Sequence, residues 1–472
     1  MMLSLADLFE ALTDLRPTWA NQVITDAAID SRQVIPGSLF IALPGERLDG
    51  HDFVLDAFQR GASFALVQRD LPAEIQVMDL RAASFDESSI SLELPLALRV
   101  TDSLKALQSI ARAWRQKLSL RVIGITGSVG KSTTKELVAS VLEQRYSTLK
   151  NVGNLNNEIG LPLTLLRLSE GYQRAVLEMG FYVAGEIKFL CDLAQPVVGV
   201  LTNIGTVHAE RAGSQEAIAR GKAELVQALP EDGTAILNYD DLWVREMADQ
   251  TRARVFYYGL DPKADLWADQ VEGLGLEGIS FRLHFQRETL HLKVPLIGRH
   301  SVHTALRATA VGLVEGLTWQ EIITGLRSGH TQLRMFAVRT RHGALLIDDT
   351  YNASPQSMMA ALNLLSEMDG RKVAVLGDML ELGPYEWRGH EMVGIRAAQI
   401  ADLLLTVGER GRMIAAAACR AGFSHQRVME FENSEQATVY LREHLQKADI
   451  VLVKGSRGMR MDRIVASLED RS

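Results

Sequence analysis

The stretch RVIGITGSVGKSTTKELVASVLEQR, residues 121–145, decides the fold. RVIGIT is a short apolar run, and the turn after it, GSVGKST, carries two glycines. Beyond the turn, Leu137, Val138, Val141 and Leu142 recur at helical spacing and give one apolar stripe. A strand that turns through glycines into a helix aims backbone N–H groups, and the positive end of the helix dipole, at an anion. Such a loop binds nucleotide phosphates, with a lysine on the β and γ phosphates and the next hydroxyl on Mg²⁺. Lys131 and Ser132 hold those places here, and Thr126, Gly127, Ser128, Val129, Gly130 and Thr133 complete the expected nucleotide contacts. The loop is a variant. The strict pattern wants glycine six positions before the lysine, where this chain has Ile125; its upstream glycine is Gly127.

Outward from the loop, the same rhythm repeats. AVLEMG (175–180), VVGVLTNIG (197–205), TAILNYDD (234–241) and RVFYYG (254–259) are apolar runs ending in polar or glycine residues. Such runs alternating with helices predict a parallel sheet covered on both faces. SFRLHFQ and TLHLKVP, within 271–296, alternate apolar and polar residues and predict an antiparallel edge hairpin. From about Arg334 onward, ALLIDDTYNA, KVAVLGDM, DLLLTVGER and DIVLVKGSRG each run from strand to polar loop, a second Rossmann-like unit. Upstream, SLFIAL (38–43) and SFALVQ (63–68) are strand-like, LPGERLDGHDF (43–53) is turn-rich, and Asp79 to Pro95 is polar enough for a linker. SLKALQSIARAWRQKL (103–118) reads as a helix capped by Thr101 or Asp102, with Leu107, Ile110 and Trp114 on one face.

The expected fold is therefore α/β in three domains. A small N-terminal α/β domain takes residues 1–98, a central P-loop ATPase domain with a parallel sheet takes 99–332, and a C-terminal Rossmann-like domain takes 333–472. At roughly 100–200 residues per domain, 472 residues agree with that number. Hydrophobic residues are 47% and charged residues 23%, which excludes a disordered or coiled-coil chain. With 50 basic and 58 acidic residues the net charge is −8, against a general nucleic-acid binder. Cys191 and Cys419, far apart, make neither a disulfide framework nor a zinc pair. The N-terminus reads as an amphipathic helix, not a signal peptide, and no apolar run approaches the ~18 residues of a membrane span. A cytoplasmic protein is expected.

Past the phosphate loop, the residues alone leave choices open. NVGNLNNEIGLPLTLL (151–166) is an asparagine-dense turn leading into an apolar helix. Glu178 ends one strand and His208 follows its neighbour, a pair that suits Mg²⁺ or Mn²⁺, but on the residues alone each is more often a helix cap or surface group. Lys222 reads as a solvated lysine beside Glu224. His300 and His303 lack the glutamate of a zinc protease motif and read as a helix start near the nucleotide.

These segments, in this order, resemble the Mur ligases, the ATP-dependent amide-forming enzymes of peptidoglycan synthesis. The resemblance runs from DSRQVIPGSLFIALPGERLDGHDF (30–53) through TGSVGKST, NNEIGLP, EMG, TNIGTVH and ARGKAEL to GRHSVHTAL, IDDTYNASPQSM, LGDMLELG and VLVKGSRG. Within the family, DDTYNASPQSM with LGDMLELG is similar to the last ligase of the series, which adds D-alanyl-D-alanine to a UDP-N-acetylmuramoyl-tripeptide. The Asn-Pro-Arg signature of the diaminopimelate-adding relative is absent.

The resemblance implies roles. Lys131, Glu178, His208 and Lys222 are expected at the catalytic centre, with Ser132, Glu178, His208 and a carbamylated Lys222 holding two Mg²⁺ ions. His300, Arg334, Asp349 and Asn352 are expected on ATP. Ser31, Arg32, Gly45, Arg47, His51, Asn156 and Asn157 are expected on the UDP-sugar substrate. Two departures stand out: where the family has His-Asn-x-x-Asn, this chain has His300, Ser301 and Thr304, and Leu333 replaces the glycine before Arg334. The implied reaction passes through an acyl phosphate made from ATP, in an expected monomer that closes its third domain. The rivals are another Mur step, a folylpolyglutamate-type ligase and a P-loop regulatory NTPase, the last without an Asn-Lys-x-Asp motif.

Overall fold

The computed structural model describes residues 2–45, 47–81, 93–206, 209–328, 336–341 and 343–469. Its strands form three sheets, of five, nine and six strands. The first comprises β1 (Ala27–Ala28), β2 (Leu39–Ile41), β3 (Phe64–Val67), β4 (Val77–Asp79) and β5 (Leu96–Arg99), in the order β1-β2-β3-β5-β4 and parallel throughout. Alternate residues of its inner strands, Phe40, Ala65, Val67 and Ala97, pack with Val54 and Ala57 of the helix Val54–Gln59.

One expectation changes here. The polar stretch from Asp79 to Pro95 joins β4 to β5 within one sheet, so it is an internal connection, not a linker between domains. The edge strand β4 has three residues, none of them buried, and therefore carries no apolar signal. Residues 82–92 of that stretch lie outside the described residues.

The nine-stranded sheet comprises β6 (Arg121–Thr126), β7 (Thr148–Lys150), β8 (Arg174–Glu178), β9 (Val198–Leu201), β10 (Thr234–Asn238), β11 (Arg254–Gly259), β12 (Leu266–Gly273), β13 (Ile279–Phe285) and β14 (Glu288–Val294). Their order is β14-β13-β12-β11-β10-β9-β6-β8-β7. β10 pairs in parallel with β11, Ile236 opposite Phe256, whereas β12, β13 and β14 are antiparallel at the edge, as the alternating pattern predicts. The third sheet comprises β15 (Phe336–Arg339), β16 (Leu345–Asp349), β17 (Arg371–Gly377), β18 (Leu403–Val407), β19 (Val428–Phe431) and β20 (Asp449–Lys454), ordered β15-β16-β20-β17-β18-β19. All its pairings are parallel except the edge strand β15, and its two faces bury separate apolar clusters. That is the doubly covered sheet expected of a Rossmann-like unit.

By internal packing the chain divides into two compact units: Met1–Gly124 with Tyr146–Gly180 and Glu186–Val198, and Ile125–Arg145 with Phe181–Gly185 and Gly199–Ser472. In the first, Asp102 caps the helix Ser103–Gln116 by accepting from the N–H groups of Leu104 and Lys105. That helix buries Leu107, Ile110, Ala111 and Trp114, and the Trp114 indole donates to the Leu168 carbonyl at 2.9 Å. In the second, the helix Lys131–Leu142 packs against Val302–Val314 and Trp319–Arg327. No helix among the described residues is long and apolar enough to cross a membrane.

A candidate nucleotide site at the phosphate loop

The loop between β6 and the helix Lys131–Leu142 folds as its glycines dictate. Gly127 has φ 143°, and a Cβ there would lie 1.8 Å from the Thr202 hydroxyl. Gly130 has φ 84° and starts the helix, so the left-handed backbone suits glycine at both positions. The segment after β9 clamps the loop from outside. Ser128 N–H donates to the Asn203 carbonyl at 2.9 Å, Val129 N–H to Asn203 Oδ1 at 2.9 Å, and Gly205 N–H to Ser128 Oγ at 2.8 Å. Thr126 and Ser132 are buried and Thr133 is half-buried. Lys131 Nζ folds back to donate to the Gly127 carbonyl at 2.9 Å.

Lys222 reaches that same carbonyl. Its Nζ donates to Gly127 O at 3.0 Å and lies 4.7 Å from the centre of the Phe181 ring, with the residue 2% exposed. The solvated-lysine reading fails because Phe181 and Gly127, both remote in sequence, cover it. Glu224, its expected surface neighbour, accepts from Gly185 N–H.

Ser128, Val129, Gly130 and Lys131 line a cleft of about 80 Å³ with Asp349, Tyr351, Asn352 and Lys454. Asp349 ends β16 and Lys454 ends β20, directly opposite in the register, and Lys454 Nζ lies 2.8 Å from Asp349 Oδ2. Lys454 also donates to the Asn352 carbonyl at 2.8 Å. Sequence reasoning gave Lys454 and Asn203 no role; the signal for both was a polar residue closing a buried strand.

His303 Nε2 meets Asp240 Oδ2 at 2.7 Å, so the two histidines do not converge on a common point. His300 sits in the turn Arg299–Ser301. Desolvation, and then the charges of His303, Lys454 and Arg307, push its imidazole down to about 4. The residue keeps solvent contact, which makes the surrounding cations the firmer cause. The two residues that stand where the family has asparagine are used locally: Ser301 Oγ donates to the Ile297 carbonyl, and Thr304 Oγ1 accepts from Arg307 Nη2, while Leu333 lies outside the described residues.

In the first unit, buried Glu178 ends β8 between two asparagines. Asn151 donates to the Glu178 carbonyl at 3.0 Å and accepts from its N–H at 2.9 Å, fixing the strand end. Asn156 Nδ2 donates to Glu178 Oε1 at 2.8 Å, and Asn157 Oδ1 accepts from Gly160 N–H at 2.9 Å. Expected on substrate, these two asparagines are seen orienting a carboxylate and accepting from the N–H of Gly160, at the start of the helix Gly160–Leu166. Ser31 is buried, and exposed Arg32 pairs with Asp30 at 2.7 Å. Gly45 and Arg47 are exposed in a turn closed by a Pro44–Asp49 bridge. Buried His51 spends both ring nitrogens, accepting from Gln68 N–H and donating to Asp49. His208 and Arg334 lie outside the described residues.

Among the described residues, no cluster of three or more His, Cys, Asp or Glu side chains could hold a metal. Ser132 and Glu178 each offer a hard oxygen donor, the chemistry Mg²⁺ takes.

Three family models match in succession: "Mur ligase family, catalytic domain" over residues 23–115, "Mur ligase middle domain" over 125–312, and "Mur ligase, glutamate ligase domain" over 333–457. The chain is 37% identical over 457 residues to the UDP-N-acetylmuramoyl-tripeptide–D-alanyl-D-alanine ligase of Bacillus subtilis (strain 168), covering 96% of this chain and 94% of that one. It matches a crystal structure of MurF from Acinetobacter baumannii with TM-score 0.84 and 31% identity over 99% of each chain. MurF from Thermotoga maritima, in complex with ADP, matches with TM-score 0.77 and 27% identity over 94% of this chain and 96% of that one. With three α/β domains in that order, and more than 30% identity over nearly its full length, the chain belongs to the Mur ligase family.

Proposed function

We propose that this chain is an ATP-dependent ligase that joins D-alanyl-D-alanine to UDP-N-acetylmuramoyl-tripeptide, making a peptidoglycan precursor. The near-full-length likeness to a ligase of that name carries the reading. A carboxylate is a poor acyl donor because oxide is a poor leaving group. Its oxygen therefore attacks the γ-phosphorus of ATP and the bond to the β-phosphate oxygen breaks, giving acyl phosphate and ADP. The amine of D-alanyl-D-alanine then attacks the acyl carbon, phosphate leaves, and the nitrogen loses its proton as the amide forms.

Lys131 leaves the Gly127 carbonyl for the β and γ phosphates, where its charge opposes the charge that builds during transfer. Thr126 to Thr133 form the phosphate cradle, and Asp349, Asn352 and His300 line the nucleotide side. Mg²⁺, when bound, neutralises phosphate charge; Ser132, Glu178 and His208 are its proposed holders. Asn156 keeps the Glu178 carboxylate aimed. Lys222, buried beside the loop, takes up CO₂ through its amine to become a carbamate able to face a cation. Arg334 serves the nucleotide, and Ser31, Arg32, Gly45, Arg47 and His51 the UDP-sugar.

Residues 333–472 close as a domain against 99–332, bringing Asp349 and Asn352 onto the nucleotide and keeping water from the acyl phosphate. Residues 1–98 form the N-terminal domain, and a cytoplasmic monomer suits a user of ATP and UDP-linked substrates. The test is phosphate release from ATP with UDP-N-acetylmuramoyl-tripeptide, with and without D-alanyl-D-alanine. Turnover that needs both supports the reading. Turnover with diaminopimelate or D-glutamate as acceptor assigns another step, and turnover with no acceptor assigns a hydrolase.

A further inference from the structure

The helix Val302–Val314 carries a charge that the reaction above does not use. Arg307 is 4% exposed, yet it makes no ion pair among the described residues. Its hydrogen bonds go to neutral oxygens: Nη2 donates to Thr304 Oγ1 at 2.8 Å, and Nη1 to the Tyr258 hydroxyl at 3.4 Å. Its buried Nε has no hydrogen-bond partner. A guanidinium cannot discharge itself by losing a proton, so it keeps its full charge in the interior. A buried cation without a counter-charge is strongly unfavourable, and proteins keep such groups paired.

Its position sharpens the problem. A Cβ on Gly130 would lie 3.2 Å from Arg307 Nη2, so the guanidinium abuts the first residue of the phosphate-loop turn into the helix Lys131–Leu142. That helix end already carries the positive pole of the dipole and Lys131. Three positive sources thus share one corner, and Arg307 itself is held there by neutral oxygens and the Tyr258 ring, 5.8 Å away. Tyr258 ties the corner to the loop's own support, since its hydroxyl lies 2.8 Å from Leu201 O and 3.2 Å from Thr202 O at the end of β9. The arrangement is stable only at a cost that an anion at the loop would remove.

We propose that Arg307 is a positioning residue whose countercharge is the phosphate chain of the nucleotide, acting from behind Gly130 rather than from within the loop. This rests on the reading of the cleft as a nucleotide site. Arg307 would strengthen binding of any adenine nucleotide with two or more phosphates and would not touch the adenosine part.

Titration calorimetry of the full chain with ADP and with adenosine, on the wild type, Arg307→Met and Arg307→Lys, tests it. Arg307→Met should weaken ADP binding about tenfold or more, reduce its salt dependence and leave adenosine binding unchanged. Its melting temperature without ligand should equal or exceed that of the wild type, because an uncompensated charge has gone. Arg307→Lys should stay within about threefold of the wild type. Unchanged ADP affinity in Arg307→Met overturns the proposal. So do equal losses in the Met and Lys variants, or a Met variant that melts lower or fails to fold, since each makes the residue structural. A wild type that binds no ADP sinks the nucleotide reading itself, which is a separate failure.

Discussion

Two charge clusters, each built around one buried residue, Asp7 in one and Arg307 in the other, balance their charge in opposite ways. Beneath the N-terminal helix Leu5–Thr13, Asp7 has a 3% exposed side chain and receives Arg16 and Lys117, each at 2.8 Å. Both cations also meet Glu10 at 2.6 Å, so two acids answer two bases within the chain. At the phosphate loop, buried Arg307 rests on the hydroxyls of Thr304 and Tyr258 and makes no ion pair among the described residues. A cluster that only has to hold the fold can be neutralised internally. One that has to hold a polyanion works better if the ligand brings the negative charge. The first should fail as lost stability, the second as lost turnover.

Lys131 gives the largest expected effect. Lys131→Met should cut ATP-dependent phosphate release by on the order of 10³-fold, the scale of losing one charged stabiliser of a transition state. Its melting temperature should barely change. A large drop in melting temperature would erase the contrast between the two clusters.

Lys222→Ala should follow, with turnover down about 100-fold and partial recovery on adding short carboxylates such as acetate or formate. Rescue is the informative readout, because a lost packing contact with Phe181 would not respond to a small anion. A near-normal rate would remove Lys222 from the site.

For the balanced cluster, Asp7→Asn should cost about 1–2 kcal/mol in urea unfolding at pH 7, less than a fully buried pair because Arg16 and Lys117 reach solvent. Burial alone would raise the Asp7 pKa, but hydrogen bonds from Lys117, Ser4 and Arg16 outweigh it and hold the carboxyl well below the usual range. A lowered folded-state pKa contributes stability above the unfolded value of about 4 and loses it as the pH falls through the folded value. The gap between wild type and Asp7→Asn should therefore be constant from pH 7 to 5 and narrow below pH 4. A gap that widens in acid would mean the carboxylate is not what the cations stabilise.

How far the sequence discloses these features follows from where their cause lies. β6, β9, β17 and β20 are runs of buried residues, so composition alone reveals them. β4 and β7, each three residues long with no buried position, carry no such signal, and the connection after β4 was read as a linker for that reason. The phosphate loop was legible because its glycines and lysine act within a few residues. Lys222 and Arg307 were not: each is buried by groups far away in the chain, Phe181 and Gly127 for one, Tyr258 and Gly130 for the other. Asn156 and Asn157 were visible as polar residues, but their present partners, Glu178 and Gly160, emerge only when the turn is folded.

The smallest expected effect comes from Ser301, where the family pattern would have asparagine. Ser301 is 9% exposed, and its hydroxyl is engaged with the Ile297 carbonyl at 2.7 Å, one turn back. An amide at this site can also donate to that carbonyl, but it is larger and the turn is closely packed. Ser301→Asn should therefore lower the melting temperature slightly and leave ADP affinity unchanged. Tighter ADP binding would show that the position faces the nucleotide and that this chain lacks a contact its relatives use. An unchanged affinity, beside a loss in Arg307→Met, would place the nucleotide-dependent work of this helix on its buried charge, one side of the contrast with Asp7.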